Sequence, residues 1–309
     1  MSRLLLSLPG LLGAATLACA GLGGSPATRI DIPALEGPAA LPSHVLLISV
    51  AGLGPERYRR DPAAQALSMP ALTTLAEAGV AADVVEGVTP ASLYPAHATL
   101  VTGELPAQHG IAADRLLGPQ GVRTAHFTHA SRLHAATLWQ RSTEAGRRVA
   151  ALAWPTTVGG EIAMLLPDLE PMRGGETWLG VQADAATPAL LALARANGGD
   201  APAANQRGPA RDGVLVGIAC SLLSSPQPPA LLLLRLSQTE PVLLRNGPGS
   251  PEVEAAFAQT DREIARLFGC LRRGPARDSA AVLVTGDHGF APVYSVLAPN
   301  VALAQAGLL

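Results

Sequence analysis

HVLLISV, residues 44–50, runs straight into Ala51-Gly52-Leu53-Gly54. A short β-branched and leucine-rich run without polar alternation, closed by a glycine turn, is the pattern of a strand buried on both faces. Outward from it, strands and helices alternate. PALTTLAEAG (70–79) opens with Pro and closes with Gly, as a helix should. VAADVVE (80–86) reads as a second strand and RRVAALAW (147–154) as a third; ALLLLRL (230–236) and AAVLVTG (280–286) supply two more. Between the last two, SPEVEAAFAQTDREIARLFGCL (250–271) offers Ser250 as N-cap, Pro251 at the first helical place and apolar residues at helical spacing. The alternation predicts an α/β fold: a doubly wound, largely parallel central sheet with helices on both faces. Residues 197–228, rich in Ala, Gly and Pro, read as a surface insertion or loop leading into a helix.

Composition narrows the class. Hydrophobic residues make up 48% of the 309 and charged ones 15%, a globular balance. A net charge of -2 argues against a nucleic-acid partner, which requires a basic face. Every basic residue is Arg. The run ERYRRD (56–61) reads as a solvated helix start.

The N-terminus carries Arg3 and then an apolar run from Leu4 to Leu17, too short to span a bilayer and suited to a secretory signal. Two endings compete: Ala18-Cys19-Ala20 suits ordinary cleavage, and Thr16-Leu17-Ala18-Cys19 is an imperfect lipidation motif. The expected organisation is therefore a signal over 1–20, a Pro/Gly-rich linker over 21–42 and one domain over 43–309. The expected location is periplasmic or extracellular, with membrane attachment only through lipidation of Cys19. Export permits a Cys220–Cys270 disulfide; two buried free thiols are the competing reading.

In a doubly wound sheet, ligands bind beyond the carboxyl ends of the strands. That rule singles out Ala51, Ser237 to Glu240, and Asp287-His288, together with the start of the helix in TPASLYPAHATLVTG (89–103).

These segments, taken in order, resemble a known family. ISVAGL (48–53), TPASLYPAHATLVTGELPAQHGI (89–111), LWQRSTEAGRRVAALAWPTTVGG (138–160), NGPGSPEV (246–253) and VTGDHGFAPV (284–293) are similar to the type I phosphodiesterase/nucleotide pyrophosphatase family of the alkaline phosphatase superfamily. The resemblance implies hydrolysis of phosphate esters at a pair of zinc ions, and it assigns a job to each position. The metal-binding aspartate after the first strand falls on Ala51, and the hydroxyl nucleophile on Leu93. The asparagine that holds phosphoryl oxygens falls on Asp114; an Asp and a His four residues later fall on Glu240 and Leu244. The adjacent Asp-His pair is kept as Asp287 and His288, and a last histidine ligand belongs beyond Leu309, so the domain reads as incomplete at its C-terminus.

A catalytic zinc takes about three protein ligands and an open position. Neither implied site reaches that number, and a half-filled metal pair cannot clamp both attacking and leaving oxygens. The chain therefore reads as a pseudoenzyme, with no metal expected at full occupancy. The alternative is a residual metal-dependent hydrolase, in which Asp287, His288 and Glu240 hold one zinc or other divalent ion and Ser92 replaces the nucleophile. A third reading is a decaying product without a selected role. A protein partner or a small phosphate ligand stays open. His97 and His109 read as hydrogen-bonded structural residues, and His126, His129 and His134 as an exposed cluster without metal spacing. Trp154 to Gly160 reads as a turn near the pocket rim with no assigned chemistry.

Overall fold

The computed structural model describes residues 42–59, 69–118 and 121–308. The expected signal over 1–20, Cys19 and nearly all of the linker lie outside them. Five parallel strands form the central sheet in the order β5-β4-β6-β1-β7. They are β1 (His44–Val50), β4 (Val149–Leu152), β5 (Met164–Leu166), β6 (Leu231–Leu236) and β7 (Ala280–Thr285). β1 pairs with β6 from Val45↔Leu231 to Val50↔Leu236, and with β7 from His44↔Ala280 to Ser49↔Thr285. The apolar run of β1 is thus central, flanked by β6 and β7.

Alternation of side chains sends Leu46, Ile48 and Val50 of β1, with Leu232, Leu234 and Leu236 of β6, into one core. Helices α1 (Pro70–Ala78), α6 (Pro188–Ala196), α7 (Pro209–Leu223) and α9 (Pro251–Arg273) cover that face. Leu47, Leu231 and Leu233 face the other way, under α2 (Leu93–Thr102) and α4 (Leu138–Glu144), which contribute Val101 and Trp139. α9 starts as its sequence dictates: Ser250 Oγ accepts the Val253 N–H at 3.3 Å, and Pro251 takes the first helical place. Val253, Phe257, Ile264, Leu267 and Leu271 then line its buried stripe.

Several expectations need correction. Residues 80–86 form no strand; Val80, Val84 and Val85 are exposed, since the segment pairs with neither sheet edge. The Ala/Gly/Pro-rich stretch does lead into a helix, but that helix, α7, is core rather than a surface insertion, with Leu215, Val216, Ile218 and Ala219 fully buried against the sheet and α9. Arg57 is not solvated: it is buried, pairs with Glu254, donates to Pro248 O at 2.7 Å and lies over the Phe257 ring at 4.6 Å. Unanticipated is a hairpin of β2 (Arg115–Gly118) and β3 (Gly121–His126). Of the two readings for the cysteines, the structure has the disulfide, which joins Cys220 on α7 to Cys270 on α9.

Candidate functional site

The carboxyl ends of β1, β4, β6 and β7 open to one side of the sheet. At the end of β1 the chain turns at Gly52, whose φ of +69° lies in the left-handed region; a Cβ there would sit 2.4 Å from Leu243 Cδ1 and 2.9 Å from Phe290 Cε2. Glycine is therefore required. The turn brings the Gly52 N–H to Asp287 Oδ1 at 2.9 Å, and the same oxygen accepts the His288 N–H at 2.8 Å. Burial works against the Asp287 charge, but surrounding positive groups, Arg235 among them, and the Gly52 amide outweigh it and hold the carboxyl below the usual range. His288 is half-buried, with its ring against Phe290. Ala51 is buried beside this turn, and its carbonyl accepts the Thr239 hydroxyl at 2.6 Å.

α2 aims its start at the mouth. Leu93 points into an apolar cluster with Tyr94, Ala98 and Ile111, so the implied nucleophile position is occupied by packing. Ser92 stands at the N-cap, half-buried, and its side chain caps nothing. No described base is hydrogen-bonded to it. Asp114 instead supplies the anion at this helix start: its Oδ1 accepts the Tyr94 N–H at 2.9 Å. His97 is fully buried. Its Nδ1 donates to Leu93 O at 2.8 Å, which leaves Nε2 to accept the Ser49 hydroxyl at 2.9 Å. Burial drops its pKa to about 4, so the ring is neutral and structural. His109 is structural too: Nδ1 accepts the Ile111 N–H at 3.1 Å, and Nε2 donates to Thr99 Oγ1 at 3.0 Å. His129 and His134 are exposed, and His126 stacks on Tyr94 with ring centroids 5.5 Å apart.

The centre of the mouth holds a charge cluster in which Glu240 meets residues without a local sequence signature. Arg207, from the loop before α7, donates Nε to Glu170 Oε1 at 2.7 Å, one terminal nitrogen to Glu240 Oε2 at 2.7 Å and the other to Asp168 Oδ2 at 2.9 Å. Arg235, fully buried in β6, donates to the same Glu240 oxygen at 2.7 Å and approaches Asp168 Oδ2 at 3.5 Å. Arg211 closes the set by pairing with Glu170, and it lies over Trp178 at 5.0 Å. Three guanidinium groups thus face three carboxylates. Burial opposes ionisation of Asp168 and Glu240, but the arginine charges win, and both carboxyls sit below their ordinary range.

Glu240, implied as a metal ligand, is therefore held by two arginines. Leu244, four residues on, is 70% exposed. Among the described residues no group of three or more His, Cys, Asp or Glu is placed to hold a metal ion. Glu240, Asp287 and His288 do not form one ligand set here, and a zinc pair does not fit these residues. At the end of β4, Ala153 and Thr156 take φ of 50° and 57°, strained for non-glycine residues, where the sequence suggested only a rim turn.

A signal for the cluster was present in the sequence. Arg235 interrupts LLLLRL, and an arginine inside a buried strand must find anionic partners. Nothing local points to Asp168, Glu170 or Arg207, whose meeting is set by the fold.

The family model for type I phosphodiesterase/nucleotide pyrophosphatase matches residues 45–309. The chain belongs to this family. Solved structures of similar fold include murine ectonucleotide pyrophosphatase/phosphodiesterase 5, seen as an inactive variant in complex with AMP, at 20% identity and a TM-score of 0.56. It covers 80% of this chain and 57% of that one. Phosphonoacetate hydrolase from Sinorhizobium meliloti, in complex with phosphonoacetate, is similar at 21% identity and a TM-score of 0.61, over 86% of this chain and 63% of that one. The chain thus spans less than two thirds of the length of either relative. Among curated proteins there is no sequence match.

Proposed function

We propose that this chain is an exported, noncatalytic member of the type I phosphodiesterase/nucleotide pyrophosphatase family. The observation that carries the reading is the grip of Arg207 and Arg235 on Glu240, each at 2.7 Å. A carboxylate so neutralised is a poor metal ligand, because a cation binding there must first displace two charge-assisted bonds. The nucleophile position adds a second argument. Leu93 is packed in an apolar cluster, and the half-buried Ser92 lacks a described base to take its proton. Asp114 at the start of α2 places a negative charge where an incoming phosphate would need a donor, which disfavours anionic substrates. Export is supported by the apolar N-terminal run and by the Cys220–Cys270 disulfide, a bond that belongs in an oxidising compartment.

An inactive variant of the murine relative holds AMP, so binding a phosphate compound does not require turnover. In this chain the three arginines of the mouth are already balanced by three carboxylates, which argues for a protein partner over an anionic small molecule. The residual-hydrolase reading keeps one observation in its favour: Asp287 commits only Oδ1 to backbone donors. An aryl phosphodiester assay of the purified chain, with chelator and with added zinc or manganese, separates the two. The expected rate equals that of buffer under both conditions. Metal-dependent turnover that disappears in Asp287→Ala would overturn the noncatalytic reading.

A further inference from the structure

β7 (Ala280–Thr285) ends the sheet on one side, and its far edge meets no other strand among the described residues. The pairing with β1 shows which backbone groups are left over. Ser279 O accepts the His44 N–H at 3.2 Å, so Ser279 and, by alternation, Ala281, Leu283 and Thr285 face β1. The N–H and C=O groups of Ala280, Val282 and Val284 point outward. Such edges are normally blunted by a charge, a proline or a bulge. AAVLVT carries no charge or proline, and its register against β1 is unbroken. Its side chains are only half-buried: Ala280, Val282 and Val284 rest at the rim of one core and Leu283 at the rim of the other.

The chain that follows enlarges this surface. Every residue from 291 to 308 is exposed, and none from 289 to 308 is charged. Val293, Tyr294, Val296 and Leu297 are 79%, 91%, 87% and 88% exposed, and the helix Pro299–Gln305 buries no residue. Scattered apolar residues on a surface need no explanation, but an uncharged run of them continuing from an open apolar edge marks an interaction surface.

We propose that this surface pairs with a second copy of the chain: two β7 strands run antiparallel across a two-fold axis, joining the two sheets into one, and each apolar arm packs on the partner. The outward backbone groups select the kind of occupant. A lipid surface would cover the arm but has no N–H or C=O to offer the edge, whereas an added strand satisfies both. Charge and symmetry then select the copy. A strand lying here must be uncharged and apolar on both faces, which AAVLVT is, and pairing like with like closes both open edges at once. Because the arm leaves the carboxyl end of β7, the antiparallel arrangement brings it to the amino end of the partner's strand. Strand and arm together make roughly two dozen residues, about what a stable interface takes on each side. The association does not depend on the noncatalytic reading: ester turnover would overturn that reading and leave the pairing unchanged.

Sedimentation equilibrium of the purified chain, from micromolar to hundred-micromolar concentration, tests this, and a dimer is expected. Tyr294→Ser with Leu297→Ser alters two exposed side chains and is expected to weaken the dimer by about tenfold or more, with an unchanged circular dichroism spectrum. Val282→Pro removes an outward N–H and leaves the bonds to β1 in place, so it is expected to give a monomer; the arm variant decides if the proline variant does not fold. Hydrogen exchange locates the contact: the amides of Ala280, Val282 and Val284 should exchange slowly in the parent and fast in the arm variant. A parent that stays monomeric over the whole range contradicts the proposal. So does a dimer whose outward β7 amides exchange fast, or one that the arm variant leaves intact. A monomer in buffer that floats with phosphatidylcholine–phosphatidylglycerol vesicles would also overturn it, by making a lipid surface the occupant.

Discussion

Asp212 shows how a single buried carboxylate sets a pH dependence. It lies on α7, fully buried, and accepts the N–H groups of Ser237 at 2.9 Å and Gln238 at 2.9 Å just past β6. Burial pushes its pKa from an ordinary 3.8 up to about 6, against the pull of those two amides and of Arg235. A raised carboxyl binds its proton more tightly in the folded state, so its contribution to stability is fully present below the ordinary value. That contribution is lost as pH rises from 3.8 to about 6. The loss is at most on the order of 3 kcal/mol. Asp212→Asn keeps an oxygen for the amides and removes the charge. It should melt above the parent at pH 8 and show no such advantage at pH 4. An asparagine variant equally weakened at both pH values would show that the charge is not what is costly. Arg235 makes the complementary point about legibility: its identity within an apolar strand was visible, while its partners were not.

Among the elements, α7 and α9 are stitched together by Cys220–Cys270, with a sequence separation of 50. Closing a loop of that size restricts the unfolded chain and stabilises by about 2–4 kcal/mol. Replacing both cysteines by alanine should lower urea stability by that amount. A reducing agent should destabilise the parent and leave the double variant unmoved; equal sensitivity of both proteins to the reductant would show that the bridge does not form. Helices whose ends carry local chemistry were readable in the sequence: Pro70 and Gly79 bracket α1, and Ser250-Pro251 opens α9. Elements decided by pairing were not. VAADVVE has strand composition but pairs with neither sheet edge, and Arg115–Gly118 forms a strand only because Gly121–His126 lies against it. α7 was obscured by the Ala/Gly/Pro-rich stretch before it, though its own Val, Leu and Ile residues pack into the core.

For the whole molecule, the order of apolar runs and helices was enough to announce a parallel α/β sheet, because each strand carries its own hydrophobic signature. The mouth was legible only as a set of substitutions. Ala51, Leu93, Asp114 and Leu244 mark where the chain departs from the pattern that the resemblance implies, and Glu240, Asp287 and His288 mark what remains of it. That arginines would close on Glu240 depended on bringing Arg207 to residues more than thirty positions away on either side, which no local pattern encodes. The central claim is that guanidinium groups, not metal ions, balance the carboxylates at the strand ends. Elemental analysis of the parent protein, loaded with excess zinc or manganese and then desalted, tests it most directly. Far less than one ion per chain is expected to remain, whereas one or two tightly retained ions per chain would contradict the account.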